Sequence, residues 1–152
     1  TTFATSREIS ARAEEVFAAI STPERLARWW GPAGFTNTFS VCEFKAGGRW
    51  SLVMHGPEGR SYPNEAVFAE VEAPRKVVVQ HVSEPPFRLT ITLMPSALRH
   101  ITGFGIAVGG GTIVGWAQAF ASDDVARAVE AIVVPANEQN LDRLAAEVAK
   151  GK

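Results

Sequence analysis

The chain has 152 residues, of which 46% are hydrophobic and 20% are charged. This composition excludes an intrinsically disordered chain, because disorder goes with low hydrophobicity and high net charge. The 15 basic and 16 acidic residues give a formal charge of −1, so no net field attracts nucleic acid or anionic lipid. Cys42 is the single cysteine, which excludes an internal disulfide and a multi-cysteine metal site. We expect one domain over residues 1–152, located in the cytoplasm because no export leader is visible.

The first part of the chain is predicted to form one strand and two short helices. An extended pattern over residues 3–9 indicates the strand. Apolar residues at helical spacing follow Ser10, a residue type that caps helices. Thr22 and Pro23 provide a second helix start, a hydroxyl N-cap followed by proline at the first helical position. This second helix must end near the Gly-Pro pair at residues 31–32.

The middle of the chain is predicted to be an antiparallel meander. Hydrophobic residues alternate there, and turn signals recur about every ten residues, which is typical of such sheets. We predict strands at residues 35–43, 50–54, 66–71, 77–79, 87–93 and 112–120.

A glycine-rich segment interrupts the predicted meander at residues 94–111. A connection of this length is expected to hold an extra hairpin or to form a flap over a cavity mouth. Residues 101–122 carry no charged side chain, but their glycines disfavour a membrane-spanning helix. We therefore predict a glycine-rich connection that leads into a buried strand, and no membrane span.

A long amphipathic helix is predicted to end the chain. Ser122, followed by two aspartates, indicates its start, and apolar residues at helical spacing continue to about Lys150. Pro135 is expected to kink or split this helix. Because the helix is the one predicted element able to cover the apolar face of the meander, the sequence predicts an α+β fold. A curved antiparallel sheet then surrounds the helix and leaves a cavity between them.

Short motifs occur in a fixed order along nearly the whole chain. They are ISA at 9–11, VF at 16–17, TPE at 22–24, WWGP at 29–32, GFT at 34–36, GGRW at 47–50, MHGPEG at 54–59, YP at 62–63 and LDRL at 141–144. Together they resemble the activator-of-heat-shock-protein-90-ATPase homologues of the START-like (SRPBCC) superfamily. The resemblance implies a helix-grip fold with an apolar cavity under the C-terminal helix. The family name comes from a cochaperone domain, so the resemblance leaves a chaperone-interacting module open.

The cavity is expected to bind a small hydrophobic or amphipathic molecule. One of the adjacent residues Trp29 and Trp30 should anchor the second helix, while the other borders the cavity. The candidate lining residues chosen from strand alternation are Trp30, Met54, Tyr62, Phe68, His81 and Phe87. His55, as a polar residue expected to face the cavity, and Asn137, from the polar block on the last helix, complete the set.

The same cavity could serve a cyclase, hydratase or lyase, although we favour binding over catalysis. Such an enzyme needs an acid–base pair, for which His55 with Tyr62 or Glu70 is the candidate. No metal or cofactor site is predicted, because His55, His81 and His100 show no metal-ligand spacing. A homodimer, joined through an exposed edge strand or the glycine-rich segment, stays open.

Overall fold

The computed structural model describes residues 1–96, 99–102, 105–108 and 110–151, and for residues 99–102 and 105–108 it describes the backbone alone. The helices are α1 (Ala13–Ser21), α2 (Pro23–Trp29) and α3 (Asp123–Ala149). The strands are β1 (Thr2–Ile9), β2 (Thr36–Cys42), β3 (Arg49–His55), β4 (Ser61–Glu72), β5 (Lys76–His81), β6 (Phe87–Ser96), β7 (Arg99–Thr102), β8 (Gly105–Val108) and β9 (Gly111–Phe120).

Seven strands form one curved antiparallel sheet in the order β1-β9-β6-β5-β4-β3-β2. The element order confirms the predicted α+β helix-grip fold, with two short helices after the first strand and a long helix at the end. Within the glycine-rich segment, β7 and β8 pair as a separate hairpin. An extra hairpin is one of the two alternatives that the sequence predicts for this segment. The other alternative, a flap over a cavity mouth, concerns side chains outside the described residues.

Alternation along the strands gives the sheet one buried, concave face. On β9, Val114, Trp116, Gln118 and Phe120 are each at most 8% exposed, whereas Ile113 on the opposite face is 39% exposed. Residues of neighbouring strands that pair across the sheet point to the same side, so the register extends this face from β9 into β6 and onward to β2.

Helix α3 covers the concave face as one continuous element. Ser122 caps it, since its hydroxyl accepts a hydrogen bond from the Val125 backbone N–H at 3.2 Å. Of the two outcomes predicted for Pro135, a kink or a split, the split is wrong, because the helix runs unbroken from Asp123 to Ala149. Proline removes one backbone hydrogen bond, but contacts of α3 with β1 and with the segment after α2 hold the helix on the C-terminal side of Pro135.

The two halves of α3 pack differently. Among the described residues, the α3 members of the hydrophobic core are Leu141, Leu144, Ala145 and Val148, all in the second half. In residues 123–136, by contrast, Ala126 alone is fully buried. The second half of α3 is therefore part of the core, and the first half lies over the sheet without joining it.

One arginine ties the second half of α3 to the segment that follows α2. The Arg143 guanidinium donates hydrogen bonds of 2.8–3.1 Å to backbone carbonyls of Arg28, Trp30, Gly31, Pro32 and Phe35. Burial lowers the pKa of Arg143, but a guanidinium keeps its charge in proteins. We call this set of bonds the Arg143 clasp.

A glycine allows the clasped segment to pass close to β3. Gly31 has φ +97°, and a Cβ placed there would lie 2.8 Å from Met54 Cε. The Gly31 N–H also donates to Asn140 Oδ1 at 2.9 Å. A residue with a side chain at position 31 would thus adopt a strained backbone conformation and would displace the terminal methyl group of Met54.

Arg143→Met is expected to lower the free energy of unfolding by about 3 kcal/mol, because it removes charged donors from several partly buried carbonyls. Urea unfolding followed by tryptophan fluorescence measures the change. The matched control is Arg127→Met on the exposed side of the same helix, where the arginine pairs only with Asp124. The control should change the free energy by less than about 0.5 kcal/mol, and equal effects of the two variants would contradict the clasp.

A second link joins the end of α3 to α2. Glu147 is 3% exposed and accepts hydrogen bonds from Arg25 Nε at 3.0 Å and from Arg28 Nη2 at 2.9 Å. These bonds, chiefly that from Arg28, hold the pKa of Glu147 below its ordinary value of 4.5 even though burial opposes the shift. A carboxylate whose pKa is lowered by folding stabilises the native state only while it is ionised.

We expect the stability difference between the wild type and Glu147→Gln to depend on pH. The wild-type advantage should be complete above pH 4.5, the ordinary carboxyl value, and should decline as pH falls through the lower folded pKa. Urea unfolding at a series of pH values measures it. At neutral pH the exposed control Glu130→Gln should stay within about 0.5 kcal/mol of the wild type. A Glu147→Gln deficit that persists unchanged at low pH would contradict the role of the ionised carboxylate.

Candidate functional site

A row of aromatic rings lines the concave face beneath the start of α3. Phe120 of β9, Phe87 of β6 and His81 of β5 are paired across the sheet. The Phe87 and Phe120 ring centroids lie 5.6 Å apart, and His81 stacks on Phe87 at 4.4 Å with an interplanar angle of 11°. Phe3 extends the row onto β1, 6.0 Å from Phe120.

Four tryptophans occupy the neighbouring region under the second half of α3. Trp30 lies 4.8 Å from Trp50, 5.7 Å from Trp29 and 5.9 Å from Trp116 between ring centroids. Trp29 is 1% exposed and its indole N–H donates to the Ala19 carbonyl at 2.9 Å. Trp30 is half-buried and has left the helix, since its backbone is extended. Both rings therefore reach the same cluster although the residues are adjacent.

Two buried polar atoms on β9 lack hydrogen-bond partners. Within the described part of the chain, Trp116 Nε1 and Gln118 Oε1 are each inaccessible to solvent and unbonded. The two residues are two positions apart on the same strand, so both side chains project from its concave face. A buried polar group without a partner costs about 1–3 kcal/mol, so a polar group bonded to either atom would stabilise this position.

The first half of α3 lies above Gln118 and Phe120, and the second half begins above Trp116. Glu138 accepts hydrogen bonds from Thr5 Oγ1 at 2.6 Å and from Arg7, and Thr5 pairs with Trp116 across the sheet. Residues that precede Glu138 in the helix therefore extend over Gln118 and Phe120. Asn137 is 6% exposed and is the first buried residue of the second half.

His81 borders the site with both ring nitrogens close to oxygens. Its Nε2 lies 2.5 Å from Asn64 Oδ1, and its Nδ1 lies 3.3 Å from the Pro85 carbonyl. Asn64 donates its own amide N–H to the Tyr62 carbonyl at 2.8 Å, which turns its oxygen toward the imidazole. Burial lowers the pKa of His81 below its ordinary value of 6.5, while both ring nitrogens face oxygens that accept hydrogen bonds.

The residues predicted to line the cavity do not all lie on the concave face of the sheet. Trp30, Met54, Phe68, His81, Phe87 and Asn137 are buried or half-buried, and Tyr62 is 39% exposed at the margin. His55 must be removed from the set, because its ring contacts Thr38 Oγ1 at 2.9 Å on the convex face. Adjacent residues of one strand point to opposite faces, so His55 cannot line the same cavity as Met54.

The proposed acid–base residues do not converge. His55 contacts Thr38 and Ser61, while the Tyr62 hydroxyl donates to Glu58 at 2.9 Å. Glu70 pairs with Lys76 at 3.2 Å and with Arg88 at 3.8 Å.

Three further features bear on metal binding, thiol chemistry and membrane insertion. Among the described residues, no three His, Cys, Asp or Glu side chains lie close enough together to hold a metal ion. Burial raises the pKa of the Cys42 thiol, which disfavours the reactive thiolate. In the same described part, none of the helices combines the length and hydrophobicity that a membrane crossing requires.

Two shallow depressions lie elsewhere on the surface. One of about 280 Å³ lies between the start of α1 and the end of β6, and one of about 210 Å³ lies between α1 and the end of α3. Neither is lined by residues of the aromatic row or by Gln118.

Sequence reasoning missed Trp116, Gln118 and Asn64. A signal for Gln118 was available, since it is a polar residue at an inward position of an alternating strand that otherwise carries Val114, Trp116 and Phe120. The missing partners of Trp116 and Gln118 had no sequence signal, because they depend on what α3 places opposite.

Gln118→Leu is expected to raise the free energy of unfolding by about 1 kcal/mol, because it removes a buried oxygen that has no partner. Thr112→Val is the matched control on the same face of β9. There the hydroxyl is buried but donates to the Ala11 carbonyl at 2.6 Å, so Thr112→Val should lower the free energy of unfolding by about 1 kcal/mol. Urea unfolding measures the change in this free energy for both variants. A destabilised Gln118→Leu variant would contradict the unpartnered state of Gln118.

Comparison with known proteins identifies a matching family model and several structures with the same fold. The family model described as activator of Hsp90 ATPase homolog 1-like protein matches residues 10–102. No curated protein matches the sequence.

Three solved structures share the fold over nearly the whole chain. A protein from Arthrobacter aurescens is 22% identical with a TM-score of 0.83, over 98% of this chain and 86% of that one. A protein from Rhodobacter sphaeroides is 24% identical with a TM-score of 0.78, over 99% and 93%. The AHSA1 protein from Silicibacter pomeroyi is 21% identical with a TM-score of 0.73, over 99% of both chains. At these identities the likeness is one of fold.

Proposed function

Because the chain belongs to the activator of Hsp90 ATPase homolog 1-like family, with the START-like helix-grip fold, we propose that it binds a small hydrophobic or amphipathic molecule. The proposed site lies between the concave face of the sheet and the first half of α3. One observation carries the proposal. Gln118 Oε1, over which the first half of α3 extends, and Nε1 of the neighbouring Trp116 at the margin of the core are both buried without partners.

Desolvation of the ligand supplies the binding free energy in this proposal. Phe3, Phe87 and Phe120 form an apolar floor beside Gln118, and each 100 Å² of apolar surface buried there contributes about 2.5 kcal/mol before the costs of ordering. Asn137, His81 and the two unpartnered groups supply the few polar contacts that orient a ligand in such a site.

The unequal packing of α3 provides a route of entry. The Arg143 clasp and the Glu147 pairs fix the second half of the helix. The first half has Ile132 72% exposed and Val134 44% exposed, and Ala126 is its one fully buried residue. Outward movement of residues 123–136 would open the site without disturbing the core.

A cyclase, hydratase or lyase using the same site is the alternative that the contacts favour less. The candidates His55, Tyr62 and Glu70 all have partners outside the proposed site. Of the histidines whose side chains the structure describes, His81 alone faces it, and its two ring nitrogens already contact oxygens of Asn64 and Pro85. A chaperone-interacting module is a further candidate, supported by the family description and by exposed Ile132 and Val134.

The proposal places the protein in the cytoplasm and holds for a monomer or for a homodimer. The sheet ends at β1 and β2, and an edge strand of this kind can pair with a second copy.

The first test combines mass and fluorescence. Native mass spectrometry of freshly purified protein should reveal a retained molecule, whose chemical class a solvent extract identifies. The dye 1-N-phenylnaphthylamine, neutral and fluorescent in apolar surroundings, should bind the wild type. Asn137→Phe should weaken dye binding at least about tenfold by filling space between the helix and the sheet.

Ile132→Phe is the matched control on α3, since Ile132 is 72% exposed whereas Asn137 is 6% exposed. It should bind the dye as the wild type does, and urea unfolding should show that both variants are folded. Failure of the wild type to bind any apolar probe would refute the proposal and favour the chaperone-interacting module. Wild-type binding by Asn137→Phe would move the site away from α3.

A further inference from the structure

We infer that the polar end of the ligand is a neutral group that both donates and accepts a hydrogen bond, of which a hydroxyl is the simplest. This inference rests on the proposed function, and it specifies the chemical class that the same site recognises.

The chemistry of the two unpartnered groups dictates this class. Four buried side-chain polar atoms lack a partner in the described part of the chain, and two of them, on Trp116 and Gln118, are neighbours on one face of β9. An indole N–H is a donor only, and an amide oxygen is an acceptor only. Together they require a ligand that accepts from one and donates to the other.

Several other buried polar groups near the helix and on β9 are satisfied. The Thr112 hydroxyl donates to the Ala11 carbonyl, the Trp29 indole donates to the Ala19 carbonyl, and Asn140 Oδ1 accepts from the Gly31 N–H. The other two unbonded atoms, Asn37 Oδ1 and Ser96 Oγ, lie on β2 and at the end of β6, so Trp116 and Gln118 are the pair that shares one face of one strand.

The surrounding charges argue against an ionised headgroup. On the described part of α3, the charged residues that face the sheet or α2 already have partners: Glu138 pairs with Arg7, Glu147 pairs with Arg25, and Arg143 contacts backbone carbonyls. A carboxylate placed beside Gln118 and Phe120 would thus lose its hydration without gaining a counter-ion.

A matched series of naphthalenes tests the inference. 2-Naphthol donates and accepts, 2-methoxynaphthalene only accepts, and 2-methylnaphthalene does neither, while 2-naphthoate is anionic. Dissociation constants from displacement of 1-N-phenylnaphthylamine are compared for the wild type, Gln118→Leu and Trp116→Phe, with Ile113→Leu on the opposite face of β9 as the control.

The wild type and the control should bind 2-naphthol about fivefold more tightly than 2-methoxynaphthalene, and the methoxy compound more tightly than the methyl compound. Gln118→Leu should bring naphthol and methoxynaphthalene within about twofold of each other. Trp116→Phe should do the same for the methoxy and methyl compounds. 2-Naphthoate should bind most weakly to the wild type.

Two failures are distinguishable. If none of the four compounds displaces the dye and the dye itself does not bind, the proposed function fails together with the inference. If the three neutral compounds bind equally, or if 2-naphthoate binds most tightly, the apolar site stands and the inference is overturned. An unchanged naphthol preference in both Gln118→Leu and Trp116→Phe would likewise overturn it.

Discussion

The Arg143 clasp is the contact on which the arrangement of the remaining structure depends. One guanidinium on α3 donates hydrogen bonds to backbone carbonyls at the end of α2 and in the segment after it, including those of Trp30 and Pro32. It thereby fixes where Trp30 enters the tryptophan cluster, and it fixes the second half of α3 over the sheet. The clasp is favourable because a single charged group satisfies several carbonyls that no strand or helix pairs.

The division of α3 into a fixed half and a loosely packed half follows from where its anchors lie. Leu141, Leu144, Arg143 and Glu147 all belong to the second half, so burial and hydrogen bonding concentrate there. The first half lies above Gln118, whose amide oxygen is buried and unbonded, as is the indole N–H of the neighbouring Trp116. Polar groups kept unsatisfied at a cost in stability are expected at functional sites rather than in a purely structural core, and this expectation links the packing of the helix to ligand binding.

Much of the fold could be predicted from the sequence, because alternation, caps and turns are local signals. The Ser122 cap and the succession of strands followed from such signals. The unbroken helix through Pro135 did not, since contacts distant in sequence hold it. His55 was wrongly grouped with Met54, because residue type suggested chemistry where strand alternation excluded it. The unpartnered state of Gln118 could not be predicted, because it depends on packing by α3.

The indole N–H resonance of Trp116 gives the most direct test of a ligand site beneath the first half of α3. Trp116→Phe assigns this signal in a ¹⁵N–¹H spectrum, and the Trp29 indole, already bonded to the Ala19 carbonyl, serves as an internal reference. On titration with 2-naphthol, the Trp116 signal should move downfield in a saturable way while the Trp29 signal stays in place. A Trp116 signal that does not respond, while the naphthol still binds, would contradict the account.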